Sequence, residues 1–240
     1  MLPLSKIPHF DPLKAPILGV DHHLRALSSK ELSVESIRAR FLSPEACALT
    51  LTENHEQRIQ DKPLKAAAVL LGLVERAELT VILTQRAQHL STHSGQIAFP
   101  GGKVDPEDLT AEATALREAH EEVGLAPNLV KVLGRLNPLV TGTAFRITPV
   151  VALVSPQHVI SANASEVDQV FEVPLSFLMN PAHHQRRQTL HEGQVREWYA
   201  MPYMQGEQER FIWGATANMI RSFYAFLAHP LPQHEGLPLR

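Results

Sequence analysis

Acidic side chains recur at close spacing between Thr110 and Gly124. Glu118, Glu121 and Glu122 stand three and four residues apart, so their carboxylates would lie near one another if the segment is a helix. Like charges at this spacing repel one another unless a cation neutralises them. Carboxylate oxygens are ligands that Mg²⁺ and Mn²⁺ prefer. The spacing therefore favours a site for a hard cation, and a solvated helix face is the alternative for three glutamates taken alone.

A glycine pair precedes this acidic segment. Phe99 and Pro100 are followed by Gly101 and Gly102, which gives an apolar anchor, a fixed φ and two residues that can expose backbone groups. Backbone oxygens beside carboxylates would make an all-oxygen site, and magnesium in such sites usually bridges to substrate phosphates. The two features together predict metal-assisted chemistry on a phosphate or pyrophosphate, with water as the candidate nucleophile.

A helix over residues 111–123 would carry the glutamates. Thr110 is a favourable N-cap and Gly124 is favourable directly after a helix. Arg117 lies one turn before Glu121, where an i,i+4 ion pair can form. At about 100° per residue we expect the glutamates to lie opposite the residues that face the core. The expected core-facing residues are Leu109, Ala113, Leu116, Ala119 and Val123.

Apolar runs elsewhere predict the strands and helices that support this helix. We expect strands at residues 67–75, 79–86, 129–137, 146–154 and 168–175. We expect helices starting at Ser33, just before Asn180, and over residues 213–229. Strands interleaved with few helices indicate a mixed α/β sandwich.

The same patterns predict the organisation of the chain. Prolines at positions 3, 8, 12 and 16 interrupt the start, so residues 1–60 are interpreted as an N-terminal extension with a short helix. Residues 61–229 form the predicted domain. Residues 230–240 are rich in proline and glycine and are expected to be a loose tail.

Composition narrows the class of protein. The 240 residues are 44% hydrophobic and 20% charged, as in globular proteins. No apolar run is long enough to cross a bilayer and no secretory signal is evident, so we expect no membrane partner and a cytoplasmic location. Cys47 is the only cysteine, which excludes an intrachain disulfide and a four-thiolate zinc site. The net charge of −3 argues against a nucleic-acid partner but allows a locally basic pocket.

The segment GGKVDPEDLTAEATALREAHEEVGL resembles the signature motif of the Nudix hydrolases, the Nudix box. The core of that box is Arg-Glu-apolar-x-Glu-Glu-x-Gly-apolar, and it is matched at every position from Arg117 to Leu125. The spacing from Gly102 to Arg117 is one residue longer than usual, and the DPED segment replaces the glutamate normally found between them.

The preceding segment, ILTQRAQHLSTHSGQIAFPGG, is similar to a second motif found in the coenzyme A pyrophosphatase subgroup, in which the longer spacing is also typical. Ile82 is a conservative change and Ser91 stands where that motif has a second arginine. Matching positions are Leu83, Thr84, Arg86, Ala87, Gly95, Phe99, Pro100, Gly101 and Gly102.

The resemblance implies a Nudix-type α/β/α sandwich with a mixed sheet. It implies that Glu118 and Glu122 coordinate Mg²⁺ or Mn²⁺ and that Gly102 offers its carbonyl. Glu121 would join them or polarise the attacking water, and Arg117 would hold the glutamates in place.

The implied reaction is the attack of water on a diphosphate bridge. For coenzyme A the products would be 3′,5′-adenosine bisphosphate and 4′-phosphopantetheine. Glu166 is our candidate general base, with a solvated loop acid as the alternative. Arg86 and Lys103 are candidate phosphate contacts, with surface roles as the alternatives. His93 and Gly101 complete the residues expected to bind substrate, and His93 has a role in the loop as its alternative.

Other functions stay open at this point. Ser91 keeps another small-molecule substrate possible: a nucleotide sugar, a dinucleotide or a nucleoside triphosphate. A non-catalytic nucleotide sensor is a different class, and the three retained box glutamates argue against it. The pairs His22–His23 and His183–His184 lack partners at metal-ligand spacing, so we expect them at the surface. The oligomeric state is not predicted.

Overall fold

The computed structural model describes residues 4, 7, 10–43, 63–90 and 93–230. They form an eight-stranded sheet, a four-stranded sheet and helices on both faces of the larger sheet. In this described part no helix has the length and apolar character needed to span a membrane.

The helices and strands are numbered here in chain order. The helices are α1 (Val34–Leu42), α2 (Ala111–Val123), α3 (Leu175–Leu178) and α4 (Gly214–Ala228). The strands are β1 (Ile17–Val20), β2 (Lys65–Glu75), β3 (Leu79–Arg86), β4 (Ile97–Ala98), β5 (Gly101–Lys103), β6 (Val130–Arg135), β7 (Leu139–Val140), β8 (Phe145–Val154), β9 (Val167–Pro174), β10 (Gln185–His191), β11 (Gln194–Gln205) and β12 (Gln208–Trp213).

Strand β2 is central in the larger sheet. It pairs in parallel with β8 along almost its full length, and antiparallel with β3 and β5 on its other side. The strand order is β4-β3-β2-β8-β6, while β9 pairs with β3 and β7 pairs with β8. The sheet is therefore mixed, and the expected mixed α/β class is confirmed.

Side chains alternate between the two faces of β2, as the period of a strand requires. Ala68 and Leu70 point to one face, where they pack with Ala115 and Ala119 of α2. Val69, on the other face, belongs to a core that also contains residues of α1, α4 and the smaller sheet. Helix α2 is thus held by the sheet directly behind the glycine pair.

The predicted rotation of α2 is wrong in two respects. Leu109 is 92% exposed, because it precedes the first helical residue, Ala111, and has no partner layer there. Glu122 is only 4% exposed. It follows Ala115 by nearly two full turns at 3.6 residues per turn, so it lies on the buried side and not opposite it.

The five predicted strands and the three predicted helices are present, and none of their ends is shifted by more than two residues. The smaller sheet, in the order β1-β10-β11-β12, was not predicted. Its strands carry many Arg, Gln and Glu residues because one face meets solvent, which weakens the apolar signal. The turn between β10 and β11 uses Glu192 and Gly193 with φ of 51° and 74°, as tight hairpins require.

The described part of the N-terminal segment packs on these sheets. Strand β1 pairs with β10, and Nη1 of Arg187 donates to the carbonyls of Leu13 (2.8 Å) and Ala15 (3.1 Å). Helix α1 begins at the predicted N-cap, Ser33, whose side chain accepts from the amide of Ser36. Residues 44–62 and 231–240, including most of the expected tail, lie outside the described residues.

Candidate active site

Local chemistry fixes both ends of α2, where the acidic residues lie. The hydroxyl of Thr110 accepts a hydrogen bond from the amide of Ala113 at 3.1 Å. Gly124 adopts the left-handed conformation, with φ of 69°, which glycine tolerates best. The helix therefore has the predicted bounds, and its turns set the spacing of the glutamates.

Gly102 lies directly against the carboxylate of Glu118. Strand β5 pairs Gly102 with Ala68 of β2, so Gly102 faces the side of the sheet on which Ala68 packs against α2. A Cβ atom at Gly102 would lie 2.6 Å from Oε2 of Glu118, inside van der Waals contact. Glycine is therefore required here for the carboxylate and the backbone to approach each other.

Gly101 has a different role from its neighbour. Its φ of 154° is uncommon for residues with a side chain, and an added Cβ would lie 2.6 Å from Cα of Val69. Its amide donates to Oε2 of Glu122 at 3.0 Å. Gly101 thus fits tightly against β2 and holds the buried carboxylate.

Two carboxylates of the site are costly to ionise. Burial raises the pKa of Glu122 to about 7, although the Gly101 amide and the charge of Arg86 oppose that rise; the charges of Glu118 and Glu166 add to it. Burial also raises the pKa of Glu118, against the effect of Arg117. The site concentrates more negative charge than its own cations balance.

These groups fit a hard cation, by the chemistry of their donors. Carboxylate oxygens are preferred ligands of Mg²⁺ and Mn²⁺, and a divalent ion would offset the crowded charge of Glu118 and Glu122. Over the residues that the structure describes, no three His, Cys, Asp or Glu side chains are already gathered around one point. Two carboxylates are therefore in place, and further ligands would have to come from the backbone, a side-chain rotation or solvent.

The Gly102 carbonyl is limited in what it can offer. Hydrogen bonds from Val104 to Ala66 (3.1 Å) and from Leu70 to Pro100 (2.8 Å) flank the Gly102–Ala68 pair. The antiparallel pattern then directs the Gly102 carbonyl towards β2. A carbonyl oxygen has two lone pairs, so a cation would use the second one.

Arg117 joins the acidic residues of this region. Its guanidinium contacts Asp108 at 2.9 Å, Glu121 at 3.0 Å and Glu118 at 3.1 Å, and it donates to the carbonyl of Lys103 at 3.1 Å. The expected i,i+4 pair with Glu121 is therefore present. Arg117 fixes the orientation of Glu118 and Glu121 relative to β5.

Asp108 was missed by the sequence argument. The Arg117 guanidinium, with help from the amide of Asp105, lowers the pKa of Asp108 to about 2. The only signal was its place in the DPED segment, which stands where the resembled motif has a glutamate.

A model of the NUDIX domain matches residues 63–223, which include every predicted site residue. The chain belongs to the Nudix family. It is 41% identical over 157 residues to a protein of Yersinia pestis (strain Pestoides F) named uncharacterized Nudix hydrolase NudL, covering 65% of this chain and 77% of that protein. NudL of Yersinia pseudotuberculosis serotype O:1b (strain IP 31758) matches with the same figures.

Solved structures of Nudix proteins are also similar. The binary complex of the Caenorhabditis elegans Ap4A hydrolase has a TM-score of 0.45 and 18% identity, covering 69% of this chain and 98% of that chain. The domain match and the identity to NudL show that the chain has the Nudix fold and is a Nudix hydrolase, an enzyme that acts on a pyrophosphate-containing substrate. Nudix hydrolases generally use divalent metal cations.

The remaining predicted site residues of this Nudix hydrolase lie around the glutamates in different ways. Nη1 of Arg86 lies 3.8 Å from Oε1 of Glu122, and its buried Nε has no hydrogen-bond partner among the described residues. Glu166 is close enough for its charge to act on Glu118 and Glu122.

Lys103 and His93 are less closely tied to the glutamates. Lys103 is exposed, and its side chain points to the face of β5 opposite the one that Gly102 turns to Glu118. His93 is exposed in a turn, with φ of 57° and its ring nitrogen 2.7 Å from Oε1 of Gln96. Ser91 lies outside the described residues.

One surface prediction is wrong. His184 is fully buried, with Nε2 2.8 Å from the carbonyl of Leu178. Burial lowers its pKa to about 4, so the ring is neutral in the fold. His22 and His23 are exposed, as expected. His184 packs edge-on against Tyr224, a long-range contact that its local sequence does not signal.

Proposed function

We propose that this Nudix hydrolase cleaves the diphosphate linkage of coenzyme A, free or acylated, to give 3′,5′-adenosine bisphosphate and 4′-phosphopantetheine. In this proposal Glu118 and Glu122 hold Mg²⁺ or Mn²⁺, with Glu121 and the carbonyl of Gly102 as further ligands. The observation that carries the metal assignment is the close contact of Glu118 with Gly102 beside the buried Glu122.

Burial supports a cation-binding role for these carboxylates over a solvated one. The pKa of Glu122 is raised to about 7 and that of Glu118 is also raised, in each case mainly by burial. Such groups destabilise the ionised site unless a positive charge accompanies them. A bound divalent ion supplies that charge and stabilises the negative charge that develops on the phosphate oxygens.

Arg117 is assigned a positioning role. Its guanidinium binds Asp108 and the Lys103 carbonyl. The same guanidinium contacts Glu118 and Glu121 and holds their carboxylates in a fixed orientation. Glu121 is the most exposed of the box glutamates, at 55%. It can therefore rotate from Arg117 to the substrate side without disturbing the core.

Glu166 is assigned the role of general base, which takes a proton from the attacking water. Its backbone is anchored, since its carbonyl accepts from Ala87 and its amide donates to Asn163, both at 2.9 Å. Its charge adds to the raised pKa of both Glu118 and Glu122, which supports a place at the same centre. Glu121, held by Arg117, is the alternative base.

Arg86 is assigned to the diphosphate. It ends β3 beside Glu122, at a distance too long for a strong ion pair, and its buried Nε is unused. An arginine with free donors suits a phosphate, which offers the acceptors that Nε and Nη1 need. Lys103 and His93 are assigned to more distant parts of the substrate, and Gly101 to the shape of the loop.

Coenzyme A is favoured as the substrate by the resemblance of residues 82–102 to the second motif of that subgroup. Ser91 lacks the charge of the arginine in that motif, which leaves another nucleoside diphosphate derivative as the alternative substrate. A sensor without catalytic activity fits poorly, because the three glutamates of the box core, Glu118, Glu121 and Glu122, are retained.

A product assay tests the proposal. The purified protein with Mg²⁺ or Mn²⁺ is given coenzyme A, NADH, ADP-ribose, a nucleotide sugar and nucleoside triphosphates at equal concentration, and products are identified by mass spectrometry. We expect 4′-phosphopantetheine to appear first. Intact coenzyme A beside another cleaved diphosphate would keep the chemistry and refute the substrate.

Two variants test the metal assignment. Glu122→Gln is expected to abolish turnover, while Glu107→Gln, at an exposed position without a side-chain partner among the described residues, serves as the matched control. Full activity of Glu122→Gln at saturating Mg²⁺ would refute the assignment.

A further inference from the structure

An open groove lies at the end of the large sheet, next to the glycine pair. Its volume is about 410 Å³, within the range of small-molecule sites, and it is lined by Lys65, Ala66, Lys103, Val104, Asp105 and Pro106. None of these residues except Lys103 has a role in the proposed reaction. The groove therefore has no function in the proposed reaction beyond the role of Lys103.

Strand register places the two lysines on one face. Lys103 pairs with Ala67, and Lys65 precedes Ala67 by two residues, so their side chains share a side of the sheet. Gly102, between them and the box, faces Glu118 on the other side. The lysines and Glu118 therefore lie on opposite sides of β5. A substrate diphosphate at the glutamates would reach the groove around the edge of β5 that faces away from β2, where the Gly101 amide donates to Glu122 and the Lys103 carbonyl accepts from Arg117.

The groove has unbalanced positive charge. Neither Lys65 nor Lys103 has a side-chain hydrogen bond or ion pair within the described ranges. Asp105 is the acid of the groove. It lies 3.5 Å from the guanidinium of Arg117 and has no ion pair with either lysine among the described residues. Two ammonium groups on one face with no acid committed to them suit a phosphate.

The other walls suit the group that would carry such a phosphate. Val104 is 37% exposed, and its amide donates to the Ala66 carbonyl. Both side chains therefore alternate with the lysines and, with Pro106, give the groove an apolar wall on the side of Glu118. A sugar ring could pack there while its phosphate reaches the ammonium groups.

We propose that Lys65 and Lys103 form a second phosphate-binding site, which recognises a phosphate monoester on the nucleoside end of the substrate. The inference rests on the proposed function, since it assumes a diphosphate bound at the glutamates. It deepens that function by assigning specificity for substrates with a ribose phosphate beyond the diphosphate bridge. Lys65 is new to the site, and Lys103 acquires a defined target.

Coenzyme A and dephospho-coenzyme A test this site, because they differ only in the ribose phosphate. The measurement is kcat/KM for each, with wild type, Lys65→Ala, Lys103→Ala and Lys65→Arg. Lys131→Ala is the matched control, since Lys131 is a lysine on β6 without an ion pair among the described residues. We express the preference as kcat/KM for coenzyme A divided by kcat/KM for dephospho-coenzyme A. We expect this ratio to fall about tenfold in Lys65→Ala and in Lys103→Ala, mainly because KM for coenzyme A rises.

Rescue and salt dependence separate charge recognition from a structural effect. Lys65→Arg keeps the charge and should retain most of the wild-type ratio. The ratio in the wild type should also fall as ionic strength rises, because exposed charge pairs are screened. An unchanged ratio in both alanine variants, or an equal fall in Lys131→Ala, would overturn the inference.

A second measurement keeps this inference distinct from the proposed function. If wild type cleaves neither coenzyme A nor its dephospho form, the proposed substrate is refuted. Calorimetric titration with 3′,5′-adenosine bisphosphate and with 5′-AMP then decides the phosphate site. Tighter binding of the bisphosphate that is lost in Lys65→Ala supports the site, and equal binding of both nucleotides overturns it.

Discussion

Gly102→Ala provides the sharpest test of how the active site is built. Alanine tolerates the backbone here, because the φ of Gly102 lies outside the left-handed region. The added Cβ would lie 2.6 Å from Oε2 of Glu118, whereas ordinary contact begins at 3.4 Å. The obstacle is the end of a flexible side chain, so Glu118 should rotate away while the fold persists.

The size of the effect follows from that displacement. Restoring ordinary contact moves the carboxylate by roughly 1 Å, and misplacements of this size can cost about 100-fold in rate. The move also disturbs the 3.1 Å contact between Glu118 and Arg117. We expect kcat/KM to fall about 100-fold, with the melting temperature within about 2 °C of wild type.

Gly101→Ala is the informative control, because the same added methyl group meets backbone. The φ of Gly101 is 154°, and its Cβ would lie 2.6 Å from Cα of Val69, which cannot move without disturbing β2. Unusual backbone conformations cost about 1–3 kcal/mol, and the clash adds to this. We expect Gly101→Ala to lower the melting temperature and Gly102→Ala to lower activity alone.

The assay combines initial rates over a range of Mg²⁺ with thermal unfolding of the same preparations. Activity of Gly102→Ala within about threefold of wild type would refute the reasoning, since Glu118 would then tolerate displacement. A parallel loss of activity and melting temperature would also refute it, because the effect would then lie in folding.

Three further predictions concern charged groups. The pKa of Glu122 is raised from 4.5 to about 7, so in metal-free protein its ionisation destabilises the fold progressively from pH 4.5 to 7. In denaturant unfolding with a chelator, Glu122→Gln should be more stable than wild type by up to about 3 kcal/mol above pH 7. Below pH 4.5 the two proteins should be equally stable. The pKa of His184 is lowered from 6.5 to about 4, so stability should be lost as pH falls through that window, by up to about 3 kcal/mol, and His184→Gln should flatten that loss in the same assay. Asp108→Asn weakens the hold on Arg117, and the Mg²⁺ concentration for half-maximal activity should rise about 10-fold or more; an unchanged Mg²⁺ requirement would contradict the positioning role of Asp108.

Features set by local chemistry could be predicted from the sequence. Helix α2 begins at Ala111 and ends at Val123, as Thr110 and Gly124 indicated, because caps act within one turn. The five long strands of the large sheet were also predicted, and three of them, β2, β3 and β8, form continuous apolar runs because they are buried over most of their length. The short strands β4, β5 and β7 were not predicted. The ion pair between Arg117 and Glu121 followed from helix spacing alone.

Features set by distant contacts could not be predicted. The smaller sheet is solvated on one face and polar in composition, and its buried Arg187 is covered by residues more than 170 positions earlier. His184 is buried against α4, at Tyr224. Glu122 is buried against β5, where the Gly101 amide donates to its carboxylate, and an apolar pattern cannot mark a carboxylate as a buried residue.

The two arginines nearest the box glutamates differ in how many partners their side chains have. Arg117 has carboxylate or carbonyl partners on every side, with Asp108, Glu118, Glu121 and the Lys103 carbonyl all within 3.1 Å. Arg86 has only Glu122 at 3.8 Å and a buried Nε without a partner in the described chain. A buried donor without an acceptor costs free energy, and the phosphate of a bound substrate would supply the missing acceptor. Arg117 therefore belongs to the framework of the site, and the unpartnered Nε of Arg86 supports our proposal that this arginine contacts the substrate.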